Sequence, residues 1–228
     1  MPSYRVTEPT VSLSRFDVIG QDGDEPGYVG HVGLAEVAGP SSSVAVPVCE
    51  MGPPLRGSNA SGQMQCNVLG SATLTNSEIQ KIKAFIDRHA NEHESFLQVS
   101  RSQLIQAVPE IYCIIPHASP LRETDGRYTR TRFSCAGFVL EAYKKARLTL
   151  IDVNNLPSVD MAVIASAYPL QVRLIENGRV SREALGLDGE GPWPVLLCGY
   201  LFHSLDRRAA DVRQRAYSPD SMDRVFPK

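Results

Sequence analysis

The clearest pattern in the chain is the segment 135–147, CAGFVLEAYKKAR. Phe138, Val139, Ala142, Tyr143 and Ala146 recur at helical spacing, while Glu141, Lys144 and Lys145 fall on the other side. Such a stripe must be covered by a core. The segments around it limit what that core can be. Residues 15–20, 28–37 and 43–50 read as strands; in the last, Val44, Val46 and Val48 alternate, and Pro47 suits an edge or a bulge. Residues 51–72 are rich in Gly, Pro, Ser and Asn and read as a long loop. Thr75-Asn76-Ser77-Glu78 has the form of a capping box, so a helix is predicted from there to about residue 97. Residues 110–115 read as a buried strand and 118–133 as a polar loop. Residues 161–167 read as a short helix or a strand, 169–175 and 194–203 as strands, and about 206–228 as a polar, mobile tail. This order predicts an α+β domain: an antiparallel sheet packed against the helix that Cys135 opens. One domain over 1–228 is expected, with a helical and loop insertion at about 51–110.

Composition excludes several classes. The net charge of -2 leaves no basic field for nucleic acid. No apolar run approaches the roughly 20 residues that span a bilayer, so no integral membrane association is expected. No basic start followed by an apolar run marks a leader, and the expectation is a cytoplasmic chain with reduced thiols. Five cysteines without a CxxC pair argue against a disulfide scaffold or a zinc ribbon.

Chemistry is expected at Cys135. A helix start favours negative charge, so it lowers the pKa of a thiol placed there, and its free amides can hold an oxyanion. His31 lies in Gly30-His31-Val32-Gly33, a strand whose glycines suggest close approach by another group. A neutral imidazole there could take the thiol proton. Pairing 28–38 with 43–50 through the loop 39–42 would set His31 opposite Glu50, whose carboxylate could accept the Nδ1 proton. A slip of one residue would set Cys49 there instead and turn Glu50 away. Cys49, Cys66, Cys113 and Cys198 read as small buried hydrophobes.

These residues resemble a known group. Phe133-Ser134-Cys135-Ala136-Gly137-Phe138-Val139, followed by Glu141-Ala142-Tyr143-Lys144-Lys145-Ala146, is similar to the nucleophile helix of NlpC-type papain-like cysteine peptidases. Gly30-His31-Val32-Gly33-Leu34 resembles their His strand. Here His precedes Cys, which is similar to the circularly permuted branch, including the YaeF/YiiX-like proteins and the lecithin:retinol acyltransferase relatives. Phe16-Asp17-Val18-Ile19 resembles the Gly-Asp strand that opens permuted members, with Phe16 in place of the Gly. Val48-Cys49-Glu50 resembles the strand carrying the third polar residue. The resemblance covers about a third of the chain, in three islands. It implies a permuted papain-like fold and a bacterial-type cysteine hydrolase without a cofactor. Cys135, His31 and Glu50 would act on an amide bond of a small or cell-wall-type peptide. Tyr128 and Arg132 are candidates for the oxyanion and the substrate.

Other readings stand beside this one. The same fold could serve as an acyltransferase or thioesterase on a lipid, or as a binding module without catalysis. His89-Ala90-Asn91-Glu92-His93 matches the H-x-x-E-H pattern of a zinc hydrolase, although no later helix offers a third ligand and a metal site is not the expected outcome. Arg122, Arg127, Arg130 and Arg132 read as a solvated loop or as a means of attracting an anionic substrate.

Overall fold

The computed structural model describes residues 4–6, 12–22, 29–36, 39–40, 48–51, 64–100 and 111–223. Its strands are β1 (Tyr4–Val6), β2 (Ser12–Leu13), β3 (Val18–Asp22), β4 (Val29–Ala35), β5 (Gly39–Pro40), β6 (Val48–Glu50), β7 (Met64–Gly70), β8 (Ala118–Arg122), β9 (Tyr128–Phe133), β10 (Ser158–Val159) and β11 (Trp193–Pro194). Its helices are α1 (Asn76–Ser100), α2 (Cys135–Lys145), α3 (Met161–Ala167), α4 (Pro169–Glu176), α5 (Gly199–Leu205) and α6 (Ala209–Gln214). The class is α+β. A five-stranded sheet runs in the order β1-β7-β3-β4-β6, antiparallel except where β1 meets β7.

Alternation along the strands divides the apolar residues between two faces. Val18, Val32, Leu34 and Cys49 join the main core with Phe138, Val139 and Tyr143 of α2. Ile19, Ala35 and Val48 form a small cluster with Leu13 on the other face. Helix α2 packs against β4, β6 and α1. The buried Tyr143 hydroxyl donates to the Phe16 carbonyl at 2.8 Å and ties α2 to the turn that leads into β3. Phe16 sits at φ 67, in the left-handed region where glycine is favoured. Its ring is only 2% exposed, and burial of that ring offsets the local strain.

Several expectations are corrected. Part of the segment read as a loop at 51–72 is β7, hydrogen-bonded between β1 and β3, so the presumed insertion supplies a strand to the central sheet; residues 52–63 lie outside the described residues. The polar loop at 118–133 is the hairpin of β8 and β9. Its arginines mostly serve the hairpin: Arg122 donates to the Gly126 carbonyl, and Arg127 pairs with Glu123 and Asp125. Residues 111–114 are buried and Ile115 is half-buried, but the segment holds only an isolated bridge, Tyr112 with Phe133. Residues 169–175 lie in α4, whose first residue is Pro169, a position where proline's missing N–H costs nothing. The apolar run 194–203 ends in α5 rather than a strand. A short run buried on every side has no periodicity by which to choose between helix and strand. Within the supposed mobile tail, α6 forms and Tyr217 bridges to Ile151; residues 224–228 lie outside the described residues. The capping box forms as predicted: the Thr75 amide donates to Glu78 Oε2 at 2.7 Å, and the Glu78 amide donates to Thr75 Oγ1 at 3.4 Å. Among the described residues, no helix is long and apolar enough to cross a membrane.

Candidate active site

Cys135 is the first residue of α2. Ser134 caps the helix in an extended conformation, and its side chain accepts the Gly137 amide at 3.0 Å. The Ser134 amide donates to the His117 carbonyl at 3.0 Å, which pins the strand side of the hairpin to the helix start. Gly137 is required by that contact, because a Cβ there would overlap the His117 carbonyl oxygen. The sulfur is therefore set by a cap, a glycine and a backbone bond, all within three residues of it.

His31 and Glu50 meet, though not by the predicted pairing. Gly33, not His31, opposes Glu50, with Leu34 opposite Cys49 and Ala35 opposite Val48. Residues 36–47 lie between the paired ends, so the four-residue loop at 39–42 is replaced by a longer connection, and Gly39–Pro40 pairs with β2. The offset is two residues. Side chains alternate with a period of two, so His31, Gly33 and Glu50 still share a face. Glu50 reaches diagonally to His31 across a position that lacks a side chain. A Cβ on Gly33 would collide with Val48 and lie 3.2 Å from the Glu50 Cβ. The ring nitrogen is also the other one: His31 Nε2 donates to Glu50 Oε2 at 2.9 Å.

His31 also hydrogen-bonds Cys135. Burial of the ring opposes its positive charge, but the bonds to Cys135 and Glu50 and their negative charges outweigh it, raising His31 from 6.5 to about 10. Cys135 moves the other way, well below the ordinary thiol value of 9.0. The largest cause is the hydrogen bond from Cys198; burial opposes it, and His31 and Tyr112 add to the lowering. The two shifts run in opposite directions, in the sense that favours passage of the proton from Cys135 to His31.

Sequence reasoning missed three residues here. Cys198, read as filler, has its sulfur 3.2 Å from that of Cys135. Its own thiol is pushed well above 9.0, first by its hydrogen bond to Cys135 and then by burial, so it keeps its proton. Tyr112 has its hydroxyl oxygen 3.3 Å from the Cys135 amide, which donates to it, and also bonds the sulfur. Tyr168 packs edge-on to Tyr112 and donates to the Leu196 carbonyl at 2.6 Å. Burial, above all, keeps both phenols protonated. No local motif marks these residues; long-range packing brings them in. The free first-turn amides expected of α2 are also occupied, by Tyr112 at Cys135 and by Ser134 at Gly137.

Tyr128 and Arg132 are engaged elsewhere. The Tyr128 hydroxyl donates to Glu92 Oε2 at 2.9 Å, and Tyr128 lines a cavity of about 160 Å³ with Phe85, Arg88, His89 and Lys145. Arg132 donates to the Ala184 carbonyl at 3.2 Å and to Ser119 at 3.4 Å. The H-x-x-E-H residues are likewise turned to structure. His89 Nδ1 bonds Glu92 at 2.9 Å, and His93 Nε2 donates to the Thr131 carbonyl at 3.0 Å. Among the described residues, no three His, Cys, Asp or Glu side chains are grouped to hold a metal.

Access to the sulfur is narrow. Cys135 is 1% exposed, whereas the His31 side chain is 24% exposed. No protein-family model matches the chain, and neither a curated protein nor a solved structure matches it at a significant level.

Proposed function

We propose that the chain is a cysteine hydrolase of the permuted papain-like kind, acting on an amide bond of a small peptide. The observation that carries this reading is the His31 ring, bonded to Glu50 on one side and to Cys135, at the head of a helix, on the other. The left-handed Phe16, standing where the permuted relatives carry Gly, adds support. The Cys135 thiolate attacks the carbonyl carbon, and its electron pair forms the thioester bond. The carbonyl π electrons move to oxygen. Tyr112, a protonated hydroxyl beside the Cys135 amide, is the donor at hand for that oxyanion. When the tetrahedral species collapses, the C–N bond breaks and His31 gives its proton to the departing amine. Neutral His31 then takes a proton from water, which attacks the thioester and returns Cys135 as thiolate. Glu50 holds the ring in place and stabilises its charge throughout.

The test is alkylation of Cys135 by iodoacetamide across pH, located by mass spectrometry, together with turnover of a panel of short peptide amides. Cys135 is expected to react well below pH 8 and to be required for turnover. Its 1% exposure favours a second reading, a binding module with the same fold. Reaction of Cys135 only at the pH of an ordinary thiol, without turnover, would select that module.

A further inference from the structure

Cys135 and Cys198 come from distant parts of the chain, yet their sulfurs lie 3.2 Å apart, and both are free and buried. Cys135 is held by the cap and first turn of α2. Cys198 immediately precedes α5, at the end of a buried segment that Tyr168 anchors through the Leu196 carbonyl. Its sulfur also receives a hydrogen bond from the Ala136 amide, so it is seated on the first turn of α2. A disulfide needs sulfurs at about 2.05 Å. The approach required is about 1 Å. The two sulfurs also differ in acidity, Cys135 being lowered and Cys198 raised, which is the asymmetry that attack and resolution require.

We propose that Cys135 and Cys198 form a peroxide-responsive pair: a small hydroperoxide oxidises Cys135, and Cys198 resolves it to an intramolecular disulfide. The Cys135 thiolate attacks the terminal peroxide oxygen. The O–O bond breaks, and the leaving hydroxide or alkoxide takes a proton from solvent. Cys135 is then a sulfenic acid. The Cys198 thiol gives up its proton as it attacks the Cys135 sulfur. The S–O bond breaks, and hydroxide leaves with that proton as water. The sulfur pair has lost two electrons and the peroxide has gained them. Formation of the disulfide removes the nucleophile; a dithiol restores it by exchange. As regulation of catalysis this rests on the hydrolase reading. The sulfur chemistry is read by mass alone, so the two can fail separately.

The experiment treats the full chain with hydrogen peroxide, blocks remaining thiols with iodoacetamide, and maps peptides before and after dithiothreitol. In the wild type, a Cys135–Cys198 linked peptide is expected, with alkylation of both cysteines recovered after reduction. In Cys198→Ser the link is lost, and Cys135 goes on to sulfinic acid that dithiothreitol does not recover. Cys198→Ala, checked by circular dichroism for a folded chain, provides the same comparison should the serine variant not fold. Wild-type Cys135 that over-oxidises while Cys198 stays alkylatable would overturn the proposal, as would equal recovery of Cys135 in wild type and variants. A linked peptide in a chain without peptide turnover would keep the redox pair and remove the hydrolase.

Discussion

Two histidine–carboxylate pairs in this protein have the same bond length and opposite electrostatics. His31–Glu50 and His89–Glu92 are both bonded at 2.9 Å. Burial is the largest influence on each ring, and it disfavours the charged form. Yet His31 is raised to about 10, whereas His89 is lowered. The difference lies beyond the carboxylate. His31 also has Cys135 as a partner, while His89 has the positive charges of Arg88 and Lys145 nearby and T-shaped contacts with the rings of Phe85 and Phe133. A carboxylate within reach therefore does not make a histidine a proton carrier. A second anionic partner does, and here that partner is Cys135, the proposed nucleophile.

Removing the first ring should have the largest effect. His31→Ala is expected to slow alkylation of Cys135 near pH 6 by about 10–10³-fold, the effect of losing one adjacent positive charge, while the hydrogen bond from Cys198 still holds the thiol below 9.0. A rate within twofold of wild type would break the contrast. Glu50→Gln should act less strongly. It keeps a partner for the ring but removes a negative charge, so the alkaline limb of turnover, set by loss of the His31 proton at about 10, should move down by about 1–3 pH units. A limb that stays in place would mean that the thiolate alone holds the proton.

Titration by NMR sharpens the same comparison, with His31 expected to stay protonated far above 6.5 and His89 and His93 to lose their protons below it. The linkage follows in sign. Folding raises His31, so its contribution to stability is complete below 6.5 and is lost as pH rises through about 10. Folding lowers Cys135, so its contribution is present above 9.0 and is lost as pH falls through its depressed value. Denaturant unfolding of wild type and His31→Gln at neutral pH and near pH 10 should show the difference closing at the higher pH.

On the other side, His93→Ala should cost about 1–3 kcal/mol in denaturant unfolding, since it removes a buried side chain and its bond to the half-buried Thr131 carbonyl. Cys135 alkylation should remain within twofold. The smallest expected effect is Thr75→Ala, about 1 kcal/mol from the cap of the helix that carries both His89 and His93. Loss of thiol reactivity in either variant would mean that the two regions are coupled.

The readable parts of the fold were those with local signatures. The stripe of α2 and the capping box of α1 each carry their own evidence within a few residues. Helix α5 and the strand β7 do not: a run buried on all sides has no period, and a glycine- and serine-rich neighbourhood hides a strand that its partners β1 and β3 hold in place. The site divides in the same way. Cys135, His31 and Glu50 could be read from a helix start and from strand alternation. Tyr112, Tyr168 and Cys198 could not, because only tertiary packing brings them to the sulfur.

The diagonal reach of Glu50 across Gly33 has a consequence for how such a site can change over time. What the sheet preserves is parity, a single odd-or-even choice, rather than a fixed opposite partner. A pairing that moves by two residues keeps the imidazole and the carboxylate on one side; a move by one separates them. The segment joining β4 and β6 is thus free to vary in length provided the register moves in even steps. The polar pair can then drift along the sheet, with the connecting chain rewritten around it, and the wiring of the site survives.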